Sequence, residues 1–107
     1  LRKAAIDRED YYDQIEMLKR EERIKSEADA IWQEEKRRNI LDLEDQISAL
    51  ESSNRYLLNS ISYIYNQGDD SNYREIELFK EKIEKNERKI TDLRIEIDDV
   101  TSKKRPL

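Results

Sequence analysis

Ile40, Leu43, Ile47, Leu50, Asn54, Leu57, Ile61 and Ile64 recur at intervals that alternate three and four, and so do Ile76, Phe79, Ile83, Asn86, Ile90, Leu93, Ile97 and Val100. Such alternation marks helices that share a heptad seam, with positions a and d turned toward a partner. The two runs mirror each other about a break at 66–72. Folded back there, they pair layer by layer so that residue numbers total 140: Ile64 with Ile76, Ile61 with Phe79, Leu57 with Ile83, Asn54 with Asn86, and so on to Ile40 with Val100. Every a residue then faces a d residue, and the two polar seam residues share one layer. Two amides side by side can hydrogen bond, whereas an amide left against leucine loses its partner at a cost of about 1–3 kcal/mol.

The competing arrangement is a parallel homodimer of each run within a longer rod. Asn54 at an a position suits such a dimer, and the flanking pairs Glu75 with Lys80 and Lys82 with Glu87 are attractive while Lys89 with Arg94 is repulsive. That pattern permits the rod without selecting it. The shared asparagine layer favours the antiparallel hairpin.

The break itself, Asn66-Gln67-Gly68-Asp69-Asp70-Ser71-Asn72, carries an end signal followed by a start signal. Gly68 can take the left-handed conformation that ends a helix, and Ser71 or Asn72 can cap the next one. Asn72 with Glu75 three positions on forms an approximate capping box. At the far end, Lys103-Lys104-Arg105 is placed to complement a helix C-terminus before Pro106 stops it.

Residues 1–39 contain no Gly or Pro and are rich in good helix formers, but their apolar stripe is poor. Tyr11, Ile15 and Leu18 make one short seam and Ile24, Ala28 and Ile31 another, out of phase with each other and with the run from Ile40. Pairs such as Glu16 with Arg20 and Glu21 with Lys25 support an exposed helix by roughly 0.3 kcal/mol each. No breaker precedes Ile40, so one helix is expected from near the N-terminus to about Asn66. The expected organisation is a charged overhanging helix over 1–39, an antiparallel hairpin over 40–101 with its turn at 66–72, and a basic tail over 102–107. The fold class is therefore all-α: a long helix followed by an antiparallel coiled-coil hairpin. Leu41, Leu58 and Ile95 and several tyrosines project outside the seam, and e-position Leu58 and Tyr65 widen the stripe as bundle helices require. Dimerisation into a four-helix section is the expectation.

Composition narrows the function classes. With 44% charged residues, one Gly and one Pro, the chain can cover a helix–helix seam but not a sheet or a closed pocket. A net charge of −5 arises from intermingled signs, so no segment forms a basic patch. Absence of cysteine fits a reducing compartment, there is no sequon or membrane-length apolar run, and an intracellular setting is expected. Because Leu1 is not a methionine, the chain reads as a piece of a longer protein.

Without histidine or cysteine there is no Cys/His zinc site, no Ser-His-Asp triad and no Cys-His pair. A single glycine gives no phosphate-cradling loop. Asp69 and Asp70 lack the alternating ligands and terminal glutamate of an EF-hand, and turn formation explains them. No catalytic residue, cofactor or metal site is predicted.

Five of the eight aromatics, Tyr56, Tyr63, Tyr65, Tyr73 and Phe79, fall around the predicted tip, and only Phe79 belongs to the seam. Tyrosine is enriched at protein interfaces because it joins contact area to a polar end. The four tyrosines, with Trp32 in the charged overhang, are the candidate docking residues. They serve either an outside protein or the dimer's own contacts. The sequence thus predicts a structural or scaffold segment that mediates oligomerisation, as a homodimer, and docking to another protein. A projecting arm that binds nucleic acid is the alternative, disfavoured because basic residues interleave with acids and the tip is acidic.

Overall fold

The computed structural model describes the backbone of residues 2–68 and 72–105 and the side chains of residues 10–68 and 72–105. Asp69, Asp70, Ser71 and Pro106, to which the sequence assigns turn, cap and stop, lie outside the described residues. Two helices make up the described regular structure, α1 at Arg2–Asn66 and α2 at Tyr73–Ser102. The chain divides into two compact units, Leu1–Glu35 with Arg105–Leu107 and Lys36–Lys104.

In the Lys36–Lys104 unit, α2 returns along α1 as a helical hairpin. All sixteen seam residues are buried or half-buried, and every fully buried residue among those described belongs to the seam. Leu43 and Ile76 are the most enclosed, at 4% and 3% exposure. Leu43, Ile47, Ile90, Leu93 and Val100 form one cluster, with Ile40, Leu50 and Ile97 packed against it. These are the partners that the total of 140 requires. Each such side chain withdrawn from water contributes about 1.5–3 kcal/mol, which is what holds two charged helices together.

Two contacts beside the seam report the same register. Arg94 reaches Glu51 at 3.3 Å and Lys80 reaches the Tyr65 hydroxyl at 3.5 Å, all four residues at heptad position e. In an antiparallel pair e faces e, so both contacts follow once the a–d layers are set. Their own energies are small, because exposed pairs of this kind contribute about 0–1 kcal/mol.

Gly68 takes φ +67°, and its N–H donates to the Tyr65 carbonyl at 3.2 Å, closing the last turn of α1. An added Cβ would meet no atom there, so only the left-handed backbone calls for glycine. Asn72 stands at the N-cap of α2, but its side chain makes no capping hydrogen bond. The capping box expected from Asn72 and Glu75 therefore lacks its first half. With φ −94° and ψ 9°, Asn72 is away from the extended conformation that aims an N-cap side chain at the first free amides. Glu75 lies in the first turn, where its charge complements the helix dipole.

The C-terminus of α2 has Lys103 as its cap residue, at the helix end where the sequence places the basic cluster. The helix ends at Ser102, so Lys103, Lys104 and Arg105 follow its last turn instead of occupying it. The cation at this end is Lys36, whose ammonium donates to the carbonyls of Thr101 at 2.8 Å and Lys103 at 3.1 Å. Lys36 is four residues before Ile40, at the next d position of the seam. There α2 has run out of side chains to offer, and its free carbonyls accept a long cationic side chain instead.

In the other unit, residues 10–35 present a mostly exposed helical surface, with Ile15, Ala28, Trp32 and Glu34 half-buried. Arg105 belongs to this unit, where its guanidinium donates to the Lys25 carbonyl and pairs with the Asp29 carboxylate.

Candidate interaction surface

The hairpin leaves large apolar side chains uncovered, and it distributes them over two flanks. Position c lies beside g on a heptad helix and position e lies beside a, on opposite sides of the seam. Tyr56 and Tyr63 are at c, and they are 71% and 66% exposed. Tyr65 and Tyr73 are at e and are also exposed. The four tyrosines that cluster in the sequence thus occupy two faces, because positions c and e lie on opposite sides of the seam.

On the c/g flank an open groove runs between the helices near the turn. Tyr56, Asn59, Ser60 and Tyr63 line it from α1, and Asn72 and Glu75 from the start of α2. Ile64 and Phe79, seam residues that the hairpin covers only partly, form its apolar floor. Ser60 donates its hydroxyl to the Tyr56 carbonyl at 2.9 Å, so its proton is engaged within the helix and does not look outward.

On the e flank the ammonium of Lys80 is the centre. It lies 6.0 Å from the centroid of the Tyr65 ring and 3.7 Å from the Glu77 carboxylate. The hydrogen bond to the Tyr65 hydroxyl, followed by the charges of Tyr65 and Glu77 and more weakly of Tyr73, holds the lysine pKa above its ordinary value. Tyr73 therefore belongs to this flank with Tyr65.

Between the flanks, in the middle of the seam, the Asn86 amide donates to the Asn54 side-chain oxygen at 2.9 Å. Asn54, Asn86, Tyr56, Tyr63, Tyr65, Tyr73, Gly68, Asn72 and Glu75 all lie in the hairpin unit, whereas Trp32 lies in the other unit. Lys36 is a contributor that sequence reasoning missed. Its only signal was a lysine in phase with the seam one layer beyond Ile40.

Chemically, these surfaces offer area, aromatic edges and scattered charge. Among the described residues no three carboxylates gather to hold a metal ion, and no described helix is long and apolar enough to cross a membrane. Comparison with protein-family models, curated proteins and solved structures gives no match for the chain.

Proposed function

We propose that this chain is a non-catalytic coiled-coil segment of a larger intracellular protein, which self-associates and docks a further protein as part of a scaffold. The observation that carries the reading is the exposure of Tyr56 and Tyr63 beside a groove floored by Ile64 and Phe79. A hairpin so sparing of apolar residues gains nothing from leaving tyrosines in water, and two-helix hairpins need further helices to reach useful stability. Tyrosine beside small polar side chains suits a surface that is soluble alone and adhesive when matched. Interleaved acids along both helices oppose phosphate binding, since a nucleic-acid track needs a stripe of cations.

Sedimentation across a concentration range, with a salt-dependent binding assay on generic RNA and DNA, tests the reading. The expected result is a concentration-dependent dimer with no nucleic-acid affinity. A monomer that binds RNA or DNA with a steep inverse salt dependence would replace the scaffold by a nucleic-acid arm.

A further inference from the structure

From Tyr56 to Gly68 the chain carries no charged residue, although 44% of all its residues are charged. The stretch of α2 that returns beside it is the opposite, with Arg74, Glu75, Glu77, Lys80, Glu81 and Lys82 in its first turns. One side of the hairpin tip is therefore neutral and the other densely ionic. Within the neutral side, Ser53-x-x-Tyr56 and Ser60-x-x-Tyr63 repeat at one heptad, serines at g and tyrosines at c. This makes a row of alternating small and large side chains along one face of α1. Ser53 and Ser60 are half-buried while both tyrosines stand out from the surface, so the relief alternates notch and knob.

We propose that the occupant of this face is a second copy of this chain, with α1 packed antiparallel on α1 about a twofold axis level with Leu58. Contacting residue numbers then total 116: Tyr56 of each copy enters the notch between Tyr56 and Tyr63 of the other above Ser60, and Tyr63 lies over the partner's Ser53. The inference rests on the self-association reading above and assigns its face and direction.

Three features of the structure select this occupant. The first is relief. In a parallel twofold pair every residue meets its own counterpart, so tyrosine collides with tyrosine in one layer and serine faces serine across a void in the next. The antiparallel pair sets a large residue on a small one in both layers. The second is charge. A densely charged surface laid on the α1 face would lose hydration without gaining a counter-ion from α1, since Glu75 lines the groove only from the α2 side, whereas the matching neutral α1 surface is present on the second copy. Desolvation of the notch is also inexpensive, since the Ser60 hydroxyl already bonds the Tyr56 carbonyl. The third is area. Two copies bring four exposed tyrosines, about 500 Å² together, which is half of the roughly 1,000 Å² that a specific association needs. Ser53, Asn59 and the groove floor of Ile64 and Phe79 supply the remainder.

The experiment uses the full chain, which has no native cysteine. Sedimentation equilibrium compares the native sequence, the Tyr56→Ser/Tyr63→Ser variant, and the Tyr65→Ser/Tyr73→Ser variant of the opposite flank. A single spin label at Gln46→Cys then reports only interchain distance. The expected result is a dimer that the first variant weakens at least tenfold and the second leaves intact. Gln46 lies twelve residues from the axis, so the two labels should be about 36 Å apart at 1.5 Å per residue. A dimer that survives Tyr56→Ser/Tyr63→Ser with its helicity unchanged, or a label separation under about 20 Å, overturns the proposed face while leaving self-association standing. A native chain that is monomeric at every concentration removes self-association itself. Should the double variant lose helicity, the Gln46 distance in the otherwise native chain decides alone.

Discussion

Asn86 donates its side-chain amide to Asn54 at 2.9 Å across the middle of the hairpin seam, thirty-two residues away along the chain. Neighbouring layers are aliphatic, so this pair is the one place where a slip of register would expose the polar group of one helix to the hydrocarbon of the other. Asn54→Leu alone should strand the Asn86 amide and cost about 1–3 kcal/mol, whereas Asn54→Leu with Asn86→Leu should recover most of that loss. Chemical denaturation of the two single variants and the double variant closes the cycle. Additive effects within about 0.3 kcal/mol would show that the two amides do not interact in solution.

Register can be tested directly at Gln46 and Lys89, which face each other at g positions when the seam layers total 140. Labels at both sites, in a chain diluted with unlabelled protein, should lie within about 20 Å. A continuous helix through the break would hold them roughly 65 Å apart at 1.5 Å per residue.

Lys36 closes the end of α2 from the opposite helix, with donors on the Thr101 and Lys103 carbonyls. Lys36→Met keeps the aliphatic stem and removes both bonds, so it should destabilise by about 1 kcal/mol. The loss should be local. Amide exchange at Lys103, whose N–H bonds to the Asp99 and Val100 carbonyls, should quicken while exchange near Asn86 stays slow. Equal acceleration at both places would contradict a capping role.

Gly68→Ala should cost about 1 kcal/mol, because φ +67° places a Cβ against the following carbonyl although no other atom is near. Asn tolerates this conformation better, and Gly68→Asn should recover part of the loss. Thermal melts of the three chains give the order Gly, Asn, Ala.

Raised by the Tyr65 hydroxyl and then by the charges of Tyr65 and Glu77, the Lys80 pKa links this flank to alkaline pH. A group with a raised folded pKa contributes stability that is complete below its ordinary value of 10.5 and is lost as pH climbs through the raised one. Tyr65→Phe should bring the Lys80 titration back toward the ordinary lysine range, as followed by NMR of the side-chain amine. An unchanged midpoint would show that the hydroxyl does not hold the ammonium.

Heptad phase is a one-dimensional property, and everything that depends on it alone was legible along the chain. The seam of Ile40 to Ile64 and Ile76 to Val100, the shared layer of Asn54 and Asn86, and the left-handed turn at Gly68 each follow from spacing and residue type, because a helix converts spacing into a face. What needed the folded hairpin was whatever depends on two helices at once. Tyr56, Tyr63, Tyr65 and Tyr73 cluster in the sequence, yet the antiparallel register assigns the first two to the c/g groove and the last two to the Lys80 flank. Lys36 looked like one more charge in a mixed run until the end of α2 set free carbonyls beside it, more than sixty residues away. Asn72 had the residue type of a cap, but at φ −94° and ψ 9° its side chain makes no capping hydrogen bond. Sequence periodicity determines which face of each helix is apolar; only the closed hairpin decides which polar groups meet at its ends and flanks, since those contacts are set by where each helix stops.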